Sequence, residues 1–65
     1  MFRVSIRTDN AAFFGEREGD YQPGPEVARI LRRIAVSLED GHGSGQCRDV
    51  NGNRVGQWSD DREAD

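Results

Sequence analysis

Residues 25–40, PEVARILRRIAVSLED, decide the fold. Pro25 suits the first turn of a helix, Glu26 complements the positive end of its dipole, and Gly24 is tolerated as the N-cap. From there Val27, Ile30, Leu31, Ile34, Ala35 and Leu38 recur at i, i+3, i+4, i+7, i+8 and i+11, which is the apolar stripe of an amphipathic helix. Arg29, Arg32, Arg33 and Ser37 lie off the stripe. Gly41 is placed to end the helix in the left-handed conformation, and His42-Gly43-Ser44-Gly45 is too flexible to prolong it. A stripe of this length has to pack on something, so the flanking segments must supply a surface.

Upstream, residues 2–8 alternate. Phe2, Val4 and Ile6 fall on one side and Arg3, Ser5 and Arg7 on the other, as in a half-buried strand. Asp9 and Asn10 end it, residues 11–14 form a short apolar cluster that folds back over the core, and residues 15–22 read as a polar loop. Downstream, residues 46–58 read as a β-hairpin around 49–53, with Gly52 suited to positive φ. A three-residue loop of Val50, Asn51 and Gly52 sets Asp49 opposite Asn53 and Cys47 opposite Val55. Arg48 and Arg54 then take the other face, and strict alternation puts Trp58 on the face opposite Val55. The expected architecture is α+β in the order β-α-β-β: a mainly antiparallel three-stranded sheet, third strand in the centre, with the helix on one face. Residues 1–59 make the single domain and residues 60–65 an acidic, frayed tail.

A chain of 65 residues buries only about 60% of the surface it exposes when unfolded, so its core is thin and each large apolar residue counts. Apolar residues are 34% of the chain, charged residues 32%, and the mean hydropathy is −0.85, near the boundary between compact and disordered sequences. A lone Cys47 rules out an internal disulfide, and one cysteine with one histidine is too few for a structural zinc site. With a lone cysteine and neither a signal-peptide apolar run nor a membrane span, the expected location is a reducing cytoplasm. Nine arginines and no lysine face twelve acidic residues, for a net charge of −3. That balance argues against a bare nucleic-acid binder while leaving room for a local basic patch. Two readings of the missing lysines stand, GC-rich coding bias and selection for bidentate arginine contacts.

No combination of residues reads as catalytic, and no cofactor or metal is expected. Cys47 and His42 are the only candidates for nucleophile and base; the bland reading is a small core cysteine and a solvated loop histidine. Asp49-x-Asn51-x-Asn53 resembles the start of a calcium loop, but Arg54 stands where that loop needs glycine. The glycine-rich run 41–45 follows a helix instead of preceding one, so it lacks the geometry of a phosphate loop. Candidate partner-binding residues remain. Arg29, Arg32 and Arg33 share the outer side of the helix and suit carboxylates or phosphates. Glu16, Glu18 and Asp20 in the loop, with Asp60 and Asp61 in the tail, suit a basic surface. Tyr21 and Trp58, if exposed, are the aromatic anchors an interface uses.

The run EVARILRRIAVSLEDG, followed by GQCRDVNGNRVGQW and preceded by an alternating strand ending in TDNAAF, resembles short proteins carried by phages and mobile elements of proteobacteria. The resemblance covers most of the chain. Some small acidic phage proteins are anti-CRISPR inhibitors, which bind Cas subunits and occlude nucleic-acid or nuclease sites. It implies a non-enzymatic inhibitor of host defence whose partner is a basic Cas or other nucleic-acid-binding protein. The alternative is a small accessory regulator of a mobile element, dimerising through a sheet edge and contacting DNA with Arg29, Arg32 and Arg33.

Overall fold

The computed structural model describes residues 1–15 and 19–60. Strand β1 (Phe2–Ile6) is followed by a 3-10 turn (Ala11–Phe13), helix α1 (Pro23–Glu39), and strands β2 (Ser44–Arg48) and β3 (Arg54–Asp60). The sheet is antiparallel throughout in the order β1-β3-β2, with the third strand central as expected. The molecule is a small α+β fold.

The helix starts two residues earlier than its strongest sequence signal. Gln22, not Gly24, is the N-cap, and Pro23 and Pro25 both sit in the first turn. They fit because N–H groups there have no intrahelical acceptor to lose. At the other end Gly41 has φ +93, its N–H donates to the Leu38 carbonyl, and the His42 N–H donates to the Ser37 carbonyl, each at 3.0 Å. Those two bonds are the Schellman arrangement that the position of Gly41 implied.

Only part of the expected stripe reaches the core. Ile30 and Ile34 are buried and Val27 is half-buried, whereas Leu31 (46% exposed), Leu38 (37%) and Ala35 face outward. The sheet is three short strands wide, and α1 packs chiefly on β2 and on the 3-10 turn, so it covers one narrow seam of the helix. Phe13, from the apolar cluster that folds back, is fully buried and occupies the space the helix flank was expected to fill. The core is Phe13, Ile30, Ile34, Cys47, Val55 and Trp58, with Val4, Ile6, Ala12 and Val27 packed around it. Phe2 was expected inside; it is 45% exposed and sets its ring 6.0 Å from that of Trp58.

The hairpin loop closes as its residues suggest. Asp49 N–H donates to the Asn53 carbonyl at 2.9 Å, and Gly52 has φ +86. Beyond the loop the register departs from the expected one: Arg48 pairs with Arg54 and Cys47 with Gly56, leaving Val55 as the extra residue of a β-bulge. Cys47 therefore does not face Val55. The bulge also resets the alternation, so Gly56 and Trp58 follow Val55 onto the helix side, and Trp58 is buried at 4% exposure instead of lying on the outer face. Asp60, expected in the frayed tail, ends β3 opposite Phe2 and donates its N–H to the Gly43 carbonyl at 2.8 Å.

Two buried carboxylates fasten the hairpin loop to the rest. Asp49 Oδ1 accepts from the backbone N–H of Asn51 (2.9 Å) and Asn53 (2.8 Å), and Oδ2 accepts from the side-chain amides of Asn10 (2.8 Å) and Asn53 (3.2 Å). Burial pushes this carboxyl up, and those hydrogen bonds outweigh it, leaving it below its ordinary value. Glu26 accepts from Arg29 Nε at 2.7 Å and Nη2 at 3.0 Å, and from the Val50 N–H at 2.7 Å. The guanidinium holds the Glu26 carboxyl below its ordinary range against the opposing effect of burial.

Candidate binding site on the open face of the sheet

Residues opposite one another across strands share a face. One face carries the rows Phe2–Asp60, Val4–Trp58–Gly45 and Ile6–Gly56–Cys47, and α1 and Phe13 pack on it, leaving Phe2 at its end exposed. The other carries Arg3–Ser59–Ser44, Ser5–Gln57–Gln46 and Arg54–Arg48. Arg7 continues the Arg3, Ser5 alternation at the end of β1, where its N–H still donates to the Val55 carbonyl at 2.7 Å. Ser59 is half-buried and the other residues of these outer rows are exposed; all but Arg7 and Arg48 line a shallow open depression.

This face holds Arg3, Arg7, Arg48 and Arg54, four of nine arginines, and among the described residues no carboxylate belongs to its rows. Arg48 donates to the Gly52 carbonyl and to Gln46 Oε1, both at 3.0 Å; Arg54 donates to Gln57 Oε1 at 3.2 Å, and Arg7 to the Arg54 carbonyl at 3.3 Å. A guanidinium has five N–H donors, so each keeps several for an incoming ligand while its stem is held along the sheet. The described carboxylates lie elsewhere. Asp9 and Asp20 are in the β1–α1 connection, Glu39 and Asp40 at the helix end, Asp60 in the row facing α1, and Glu26 and Asp49 are buried.

The residues picked from sequence are scattered across the molecule. Trp58 is in the core and offers no anchor. Arg29, expected with Arg32 and Arg33 on the open side of the helix, is half-buried, ion-paired with Glu26, and bonded to the Arg48 carbonyl at 2.9 Å; Arg32 and Arg33 are exposed. Tyr21 is half exposed but works structurally: its ring lies 5.2 Å from that of Phe14 and its hydroxyl bonds that of Thr8. The Asp20 carboxylate accepts from Gln22 Nε2 at 3.0 and 3.1 Å. Glu16, Glu18 and Asp61 lie outside the described residues. Cys47 is buried, which pushes its thiol up, and His42 is exposed on the loop after the helix. Both carboxylate oxygens of Asp49 are engaged within the loop, in the place a calcium ligand would need them free.

The sheet face was the surface not singled out from sequence. Its signal was present: Arg3, Ser5 and Arg7 on one side of β1, Arg48 and Arg54 on one side of the hairpin. What joins them into one face is the bulge at Val55, which sets the phase of the central strand. Comparison with protein-family models, with curated proteins and with solved structures finds no match.

Proposed function

We propose that this chain is a non-enzymatic binding protein whose working surface is the open face of the sheet, and that it engages an anionic macromolecule there. The observation that supports this is the segregation of Arg3, Arg7, Arg48 and Arg54, with Gln and Ser between them, from every described carboxylate. At physiological salt the Debye length is about 8 Å, so a ligand on this face meets the local arginines first, and carboxylates beyond that distance are largely screened. In the terms of the resemblance, this is the accessory protein of a mobile element, with its contact arginines on the sheet instead of the helix. Chromatography on heparin-agarose tests it: a protein with a sequence pI near 5.0 should be retained at low salt, and Arg3→Glu/Arg54→Glu should flow through. Passage of the unmodified protein without retention would sink the reading.

A second reading is a defence inhibitor that occludes a basic Cas or other host protein. It is favoured by the pairing of Asp20 with half-exposed Tyr21 on one loop, which gives an acidic and aromatic contact of the kind that reading needs. Co-purification with a panel of Cas complexes separates the two, because this contact should survive Arg3→Glu/Arg54→Glu and fail on Tyr21→Ala.

A further inference from the structure

We propose that the open sheet face seats in the major groove of duplex DNA. This rests on the reading above and names its ligand. The major groove of B-form DNA is about 12 Å wide and admits a two-stranded β-ribbon, and β2 and β3, about 4.8 Å apart, form such a ribbon carrying Gln46, Gln57, Arg48 and Arg54 on its open face. The long axis of the strands then follows the groove.

The side chains suit both walls and floor. Gln46 and Gln57 sit directly opposite one another in the middle of the face. A glutamine amide pairs bidentately with adenine in the major groove, as arginine does with guanine. Arg3 lies toward one end and Arg48 and Arg54 toward the other, so cations flank the central amides on both sides. With the strands along the groove these cations lie at successive positions down its length, where phosphates line it, and hydroxyl donors such as Ser5 and Ser59 serve them as well.

Other polyanions fit less well. Single strands are bound by stacking bases on aromatic rings, and the described aromatics of the sheet, Phe2 and Trp58, belong to rows on the helix side. The major groove of an RNA duplex is too deep and narrow to admit the sheet. An acidic protein meets the arginines but gives the paired glutamines no repeated planar edge to read.

Fluorescence anisotropy with a labelled mixed-sequence DNA duplex, its single strand, an RNA duplex and polyglutamate tests the assignment. The DNA duplex should bind most tightly. Arg3→Ala/Arg54→Ala should weaken it about 10-fold or more and flatten the log-log salt dependence by about 2, the loss of two phosphate contacts. Gln57→Glu keeps an acceptor for Arg54, disturbs the fold least, and should also abolish binding; circular dichroism of both variants establishes that they fold. Dimethyl sulfate footprinting should show guanine N7, a major-groove atom, protected. Equal binding of the single strand, unprotected N7, or duplex affinity unchanged in both folded variants would overturn the proposal. Retention on heparin with polyglutamate preferred over DNA would overturn this inference alone, whereas loss of heparin retention removes the wider reading with it.

Discussion

The indole of Trp58 occupies the space in which a side chain of Gly45, its cross-strand neighbour on β2, would stand: a Cβ there would lie 2.6 Å from Nε1. This contact fixes which side of the sheet is in. With Trp58 turned toward α1, its strand neighbours Gln57 and Ser59 must turn away, and with them Ser5, Gln46 and the arginines. Gly45→Ala should therefore lower the melting temperature by displacing the indole. Trp58→Ala, which empties part of a thin core, should cost about 3 to 5 kcal/mol. Denaturant unfolding checks both, and a neutral Gly45→Ala would mean that the ring sits elsewhere.

Helix truncations should divide by face rather than by hydrophobicity. Ile30→Ala and Ile34→Ala remove buried side chains and should cost about 2 to 5 kcal/mol each, enough to unfold a domain of this size. Leu31→Ala, at a position 46% exposed, should cost less than about 1 kcal/mol. Equal losses at Ile30 and Leu31 in urea titrations would contradict the narrow seam.

Acid should loosen the hairpin loop. Glu26 and Asp49 both have carboxyls depressed in the folded chain, so each contributes stability that is present above its unfolded value and lost as pH falls through the folded one. With unfolded values of about 4.3 and 3.9, the melting temperature should hold from neutrality to about pH 5 and fall below about pH 4. Glu26→Gln should lower stability at pH 7 and flatten the acid limb. An unchanged limb in that variant would mean that the pair with Arg29 does not contribute.

Cys47 should behave as a core residue. Burial raises its thiol, so the reactive thiolate is scarce at neutral pH, and a maleimide should label it only after denaturation. Rapid labelling of the folded protein would reopen a catalytic role for it.

Much of this fold was legible because its signals are local. The strand alternation from Phe2 to Ile6, the helix stop at Gly41 and the turn at Gly52 each follow from a few adjacent residues. The bulge at Val55 was not legible, because an extra residue in β3 is defined only against its partners Cys47 and Arg48. That single insertion moved Trp58 from a supposed interface into the core. Arg29 was misplaced for a similar reason: Glu26 draws it toward the hairpin loop through a contact with Val50, 24 positions along the chain. The candidate site was half legible, its arginines visible on separate strands but not as one surface.

The most direct test of the sheet face is an amide NMR titration of the isotopically labelled protein with a short DNA duplex. Shift changes should concentrate on Arg3, Ser5, Gln46, Arg54, Gln57 and Ser59, including the side-chain amides of both glutamines. Changes centred instead on Arg32 and Arg33, or on Asp20 and Tyr21, would contradict the account.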